Sequence, residues 1–312
     1  MREHPRVLIV GWSSFVHGES TAGDVLATRA VSNHLCDGNI EHDIAWSPVM
    51  FAIHSPRERR RGAGRNVCYE DVDPRRYTHV LFVCGPIHGS PVAQMHRRFD
   101  SCRRIAIGVT VVDESAPEVV DFHAVIARDS PSGKPATDLS ASVAVPRVPL
   151  IGVVLASGQS EYGDRRQHDA VLETLDEWLR GRSDCVFVEI DTRLDPRHWR
   201  SASVPAQTES LIERCDAVVT MRMHGLVLAL KNAVPAVAVD PVAGGGKVSH
   251  QASAWSWPSL IPGESTTPDA LDRNLRWALS DRGKWYAREA SLVAEHVPEQ
   301  LVRLDELLDP TL

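Results

Sequence analysis

Residues 216–247 read DAVVTMRMHGLVLALKNAVPAVAVDPVAGGGK. Ala217 to Thr220 is a short apolar run of the kind that forms a buried strand. Gly225 to Asn232 carries Leu226, Val227, Leu228 and Leu230, the apolar density of a packed helix, and Ala236 to Val239 is a second strand. Strand, helix and strand in so few residues predict a parallel crossover unit. The first residues of its helix then lie at the carboxyl edge of the sheet, where open α/β sheets bind ligands. Arg222 and His224, with Met223 between them, fall at that junction. The N–H groups and dipole of a helix start favour a phosphate or carboxylate, and a guanidinium adds a planar, bidentate donor. An imidazole two residues on can exchange a proton near neutral pH, so His224 is a candidate general acid or base. Taken alone, the same pair also suits a structural ion pair and a turn cap.

Outward from this block the same alternation continues. Strands are predicted at Val7 to Gly11, Asp43 to Trp46, His79 to Cys84, Ile105 to Val111 and Ala124 to Ala127, separated by helices or long loops. Ser130 to Pro146 then loses periodicity and gains Pro, Ser and Gly, as a boundary loop does. A second series follows: a strand at Leu150 to Leu155, a helix at Arg165 to Leu179, a strand at Cys185 to Ile190 and a short helix near Glu209 to Cys215. In the first of those helices Val171, Leu172, Leu175 and Leu179 form one apolar face. The expected architecture is therefore α/β, with two doubly wound, Rossmann-like domains over residues 1–140 and 141–312 facing across a cleft. Helices from Leu271 onward, interrupted by Pro298, are expected to cover the sheets.

Other loops that leave strands are candidate ligand contacts. Gly85 to Ser90 follows a strand directly, so His88 faces either a cleft or water. Ser157 and Gly158 follow the first strand of the second series and suit either a phosphate or sugar contact or a simple turn. Near the amino terminus Gly23 and Asp24 precede a helix bearing Leu26, Val31 and Leu35. Asp24 is expected as its N-cap, and Gly23 as a residue that permits a turn a side chain would block.

The block at 216–247 resembles the polysaccharide pyruvyl transferase family. That family's C-terminal half carries a strand, Arg-Leu-His or a close variant, a small-residue helix, Gly-x-Pro, a hydrophobic strand and a lysine-containing turn. Arg222-Met223-His224, Ala233-Val234-Pro235, the strand ending at Asp240 and Lys247 follow that order. Ala233 stands where glycine is usual, and Gly244-Gly245-Gly246 lengthens the turn before Lys247. The Gly23-Asp24 element resembles the family's amino-terminal Gly-Asp, and Val125 to Ser130, ending in Arg-Asp-Ser, is a weaker echo. The resemblance implies a GT-B-type fold with a terminal helix crossing back to the first domain. It further implies a transferase that moves a pyruvyl group from phosphoenolpyruvate to a hydroxyl of a glycan or small-molecule acceptor, with the amino-terminal domain on the acceptor side. Arg222 would hold the donor's carboxylate or phosphate, His224 would act as general acid and Lys247 would meet the leaving phosphate, with no metal and no cofactor. Two alternatives share the architecture: a glycosyltransferase using a nucleotide sugar, and a noncatalytic small-molecule binding protein.

Composition narrows the field. In 312 residues, 43% hydrophobic and 24% charged content is that of a globular chain, and a net charge of -7 opposes broad affinity for nucleic acid. No run is long enough to cross a bilayer and the start has no signal-peptide layout, so a cytoplasmic location is expected. Six cysteines without C-x-x-C spacing read as buried thiols, and the histidines show no H-x-x-x-H pair. Asp71-Val72-Asp73 reads as a turn more simply than as a divalent-ion site. The run Arg57 to Arg65 reads as a solvated basic loop. Gly244-Gly245-Gly246-Lys247 is not a P-loop. Val248 stands where Ser or Thr is required, Pro241 where glycine is required, and the Trp- and Pro-containing stretch beyond is expected not to be helical. No Gly-x-Ser-x-Gly elbow is present, which removes the usual serine hydrolase.

Overall fold

The computed structural model describes residues 5–16, 20–54, 64–180, 182–294 and 296–308. The chain separates into two compact units, Met1–Pro146 and Arg147–Leu312.

The first unit runs β1 (Val7–Val10), α1 (Ala22–Asp37), β2 (His42–Trp46), α2 (Pro48–His54), β3 (Arg65–Cys68), β4 (His79–Val83), α3 (Gly89–Arg98), β5 (Arg103–Thr110), α4 (Pro117–Val120) and β6 (Ala124–Asp129). Its sheet is parallel, in the order β3-β2-β1-β4-β5-β6. That order reverses direction between β1 and β4, the crevice where doubly wound sheets bind ligands. Successive β1 residues alternate between two cores, Leu8 and Val10 in one, Val7 and Ile9 in the other. All four are buried, because helices cover both faces of a parallel sheet and leave no polar side to the strand.

The second unit runs β7 (Leu150–Val154), α5 (His168–Arg180), β8 (Val186–Glu189), α6 (Pro205–Ile212), β9 (Ala217–Thr220), α7 (Met223–Lys231), β10 (Ala236–Asp240), α8 (Lys247–Ala254), β11 (Leu260–Pro262), α9 (Pro268–Leu279), α10 (Asp281–Val293) and α11 (Glu299–Leu308). Its sheet is also parallel, in the order β11-β10-β9-β7-β8, and reverses between β7 and β9. The central strands β9 and β10 are buried throughout, and each valine removed from water there is worth about 1.5–3 kcal/mol. Helix α9 packs on α5 and α10 on α7, so both belong to the second unit's own layers.

Several elements differ from expectation. The Trp- and Pro-containing stretch after Gly246 begins with a helix, α8, because its cap comes from Asp240 across the turn and not from local sequence. The edge strands β3 and β11 went unread: β3 follows a basic run and spells RNVC, and β11 is three residues ending in proline. Within the boundary loop, Leu139–Ser142 forms a turn that packs on α1, with Leu139 set against the first unit's core. Cys84, Cys102, Cys185 and Cys215 are buried thiols, whereas Cys36 and Cys68 are only half-buried. The basic run lies outside the described residues except for Gly64 and Arg65. Asp73 caps a short turn and pairs with Arg75 at 3.0 Å, the simpler of the two readings of Asp71-Val72-Asp73.

Candidate functional site

The junction of β9 and α7 is built by Thr220, which has no exposure to solvent. Its hydroxyl donates to the Arg222 carbonyl and accepts from the Arg222 N–H, both at 3.0 Å, and so holds the residue that caps α7. Gly225 allows the helix to start this close to the sheet, since a Cβ there would lie 2.2 Å from Thr220 Oγ1 and 3.0 Å from Val154 Cγ1. The Arg222 guanidinium spans the point where strand order reverses. Its Nε donates to the Leu155 carbonyl, just past β7, at 2.6 Å, and no hydrogen bond to its terminal nitrogens is found among the described residues. His224, one residue into α7, is exposed and makes no hydrogen bond to the described residues.

A second helix start meets the same place. Asp240, 1% exposed at the end of β10, accepts N–H bonds from Val242 at 3.1 Å, Gly246 at 2.6 Å and Ser249 at 2.8 Å. One buried carboxylate thus folds the turn and caps α8, with Gly244 and Gly245 at φ +74° and +90° where other residues would be strained. Lys247 becomes the first residue of α8. Its ammonium sits 3.2 Å from Glu161 and 5.5 Å from the centre of the Tyr162 ring, and the Glu161 bond holds its pKa above the usual lysine value.

Arg222, Met223, His224 and Lys247 line one cavity of about 200 Å³ in the second unit, together with Gln159 and Thr192. Ser157 and Gly158 do not line it. Ser157 points to solvent, and the Gly158 carbonyl accepts from Arg166 Nε at 2.7 Å, so this loop presents Gln159 instead. Tyr162 and Asp240 also border the cavity. Asp191 lies close enough to feel Arg222, and its carboxyl is held low chiefly by Arg193. Behind Tyr162, the ring of His168 is fully buried with neither nitrogen partnered, and burial holds its pKa below the usual imidazole value. Two of these residues carry a signal that sequence reasoning passed over. Asp240 is a lone carboxylate ending a wholly apolar strand, and Gly225 interrupts a helix of large aliphatics. Tyr162 and Thr192 carry none.

Gly23, Asp24 and His88 lie elsewhere, on a cavity of about 600 Å³ in the first unit. The expected cap is corrected. Thr21 is the N-cap of α1, accepting the Asp24 N–H at 3.2 Å, while Asp24 sits three residues on and accepts the Thr21 N–H at 2.9 Å and its hydroxyl at 2.8 Å. This is the reciprocal capping box, in which the carboxylate is the returning partner. Gly23 is ordinary helix, and an added Cβ would meet only Thr21 Oγ1 at 3.5 Å, so no turn requires glycine there. Arg128 of the Arg-Asp-Ser echo lines the same cavity, bonded to Asp129 at 2.7 Å, Asp138 at 2.6 Å and Thr110 at 2.6 Å. Among the described residues no three His, Cys, Asp or Glu side chains converge as metal ligands.

Comparison with known proteins bears on this geometry. The spinosyn rhamnosyltransferase SpnG complexed with thymidine diphosphate is similar at 12% identity, over 96% of this chain and 100% of that one, with a TM-score of 0.36. The calicheamicin glycosyltransferase CalG4 is similar at 11% identity, over 98% of each chain, with a TM-score of 0.34. The glycosyltransferase SnogD from Streptomyces nogalater gives 13%, 98% and 99%, with 0.32. Scores this low carry no inference about arrangement or activity. No curated protein matches the chain. The model of the polysaccharide pyruvyl transferase family matches residues 180–241, from the end of α5 through β10. Over that segment, which carries Arg222, His224 and Asp240, the chain is similar to the polysaccharide pyruvyl transferases, a family of transferases.

Proposed function

We propose that the cavity of the second unit binds phosphoenolpyruvate and that the protein transfers its pyruvyl group to a hydroxyl-bearing acceptor. The observation that carries this reading is the meeting of an Arg222 fork, an exposed imidazole at His224 and the first residue of α8, Lys247, on one small cavity. It lies beside the segment matched to the family. Arg222 and the N–H groups of the α7 start bind the donor's anionic groups. His224 gives its proton to the methylene carbon, forming a C–H bond and leaving an oxocarbenium-like centre at the adjacent carbon. The acceptor oxygen bonds to that centre and its proton passes to the base left on His224; the carbon–oxygen bond to phosphate then breaks, and a second acceptor hydroxyl bonds to the same carbon and gives its proton to the departing phosphate, leaving a ketal. Lys247 offsets the charge of that leaving group. A nucleotide sugar offers the same anionic contact through its diphosphate. A cavity of about 200 Å³, below the roughly 300–1,000 Å³ usual for larger ligands, favours the smaller donor.

Thermal stabilisation by phosphoenolpyruvate, set beside a nucleotide-sugar panel in wild type and Arg222→Ala, tests the reading. Stabilisation by phosphoenolpyruvate that disappears in the variant supports it. Stabilisation by a nucleotide sugar alone sinks it in favour of glycosyl transfer. Binding of phosphoenolpyruvate with no phosphate release to any acceptor, and unchanged in His224→Ala, would leave a binding protein.

A further inference from the structure

The loop between β7 and α5 forms one wall of the second unit's cavity, through Gln159 and Tyr162. Both of its ends are fixed. On the β7 side the Gly158 carbonyl accepts from Arg166 Nε at 2.7 Å. On the α5 side the loop bonds to the turn after β10. There the Ala243 N–H donates to the Arg165 carbonyl and the Gln167 N–H to the Pro241 carbonyl, each at 2.8 Å. Between these anchors Gly158, Gln159 and Gly163 are left-handed, at φ +83°, +62° and +52°. A Cβ on either glycine would meet nothing within 4 Å, so the backbone conformation and not packing calls for glycine there. Residues 159–162 form a short strap between two permissive pivots, and Gln159 holds a conformation that is strained for a side-chain-bearing residue.

Lys247 holds this strap from across the cavity. The Glu161 carboxylate, half exposed, lies 3.2 Å from Lys247 Nζ, although the two residues are 86 positions apart in the chain. The same ammonium sits 5.5 Å from the centre of the Tyr162 ring, within cation–π range. Lys247 and Tyr162 line the cavity, whereas Glu161 does not. The lysine therefore has two competing uses, the carboxylate on the strap or an anion in the cavity beside Arg222. It cannot serve both at full strength, because a phosphate drawn to Lys247 would stand next to the Glu161 carboxylate and repel it. Magnitudes decide the contest. An exposed ion pair is weak, while a phosphate carries up to about two negative charges and is gripped by the Arg222 fork as well.

We propose that Glu161 is an internal competitor for the ligand's phosphate: it latches the strap 159–162 to Lys247 until a phosphate-bearing ligand takes the lysine and frees the strap. The inference rests on the reading of this cavity as the donor site. The test uses the full chain labelled with 3-fluorotyrosine. Its four tyrosines give few fluorine signals, and Tyr162→Phe identifies that of Tyr162. Fluorine NMR and calorimetry follow titration with phosphoenolpyruvate and, separately, with inorganic phosphate. Saturation with either should move the Tyr162 signal toward its position in ligand-free Lys247→Met. Glu161→Gln should bind both about two- to fivefold more tightly than wild type, the range of an exposed pair. Made in the Lys247→Met background, Glu161→Gln should give no such gain. Unchanged or weaker binding in Glu161→Gln, a gain that persists without Lys247, or a Tyr162 signal that bound ligand does not move overturns the proposal. Release of the latch by inorganic phosphate, with no binding of phosphoenolpyruvate, sinks the donor reading and leaves the latch standing. Phosphoenolpyruvate binding that is lost in Arg222→Ala but indifferent to Glu161→Gln overturns only the latch. Binding of neither anion overturns both.

Discussion

Replacing Gly225 by alanine tests whether the proposed phosphoenolpyruvate site depends on how closely α7 approaches the sheet. The new Cβ would fall 2.2 Å from Thr220 Oγ1 and 3.0 Å from Val154 Cγ1, both on buried side chains. Thr220 cannot rotate away without giving up the two 3.0 Å bonds that hold Arg222. Overpacking of this kind costs about 1–3 kcal/mol. The lost bonds add about 1 kcal/mol, and the helical preference of alanine over glycine returns up to about 1 kcal/mol. The net loss is about 2 kcal/mol, or about 4–8 °C in the melting temperature of a unit this size. Calorimetry on Gly225→Ala, Thr220→Ala and the double variant measures it. Thr220→Ala removes the nearest atom, so the double variant should be about 1 kcal/mol less destabilised than the two singles summed. In Gly225→Ala that remains folded, stabilisation by phosphoenolpyruvate should fall as Arg222 is displaced. A variant that melts with the wild type, or a strictly additive double variant, would refute the reasoning.

Asp240→Asn keeps the shape but turns an amide toward backbone N–H donors, and should cost about 2–3 kcal/mol with faster hydrogen exchange confined to 242–249. Unchanged exchange there would mean the turn folds without its carboxylate. Arg222→Lys keeps the charge but loses both the Leu155 bond and the fork, so the affinity for phosphoenolpyruvate should fall about 10- to 100-fold. Retained affinity would show that charge alone suffices. His79, His96 and His168 are each held below the usual imidazole value, chiefly by burial, and so stay neutral in the fold. The unfolded chain takes up their protons first, so melting temperature should decline as pH falls below the unfolded value of 6.5, before carboxylates such as Asp138 contribute near and below 3.8. His168→Phe should flatten part of that decline, since neither ring nitrogen has a partner to lose. A melting temperature that rises on acidification through this window would contradict the sign.

The alternation of apolar strands with helices, and the place of Arg222 and His224 at a strand-to-helix junction, were legible in the chain alone. Strands buried on both faces must be continuously apolar, so Ala217 to Thr220 and Ala236 to Val239 announce themselves, and a residue that ends such a strand lies at the sheet's ligand edge by topology. What depended on contacts distant in sequence was not legible. Lys247 takes its register from Asp240, which reaches across the turn to Gly246 and Ser249, and no local pattern predicts that bond. The first unit's cavity joins Trp12, Cys84, Arg128 and Asp138, four residues spread along the chain that only the folding of β1, β4, β6 and the boundary loop brings together. Its charge, set by how many carboxylates reach Arg128, exists only in that tertiary arrangement. Local periodicity determined the layers and one helix start; long-range hydrogen bonds decided which side chains line each cavity.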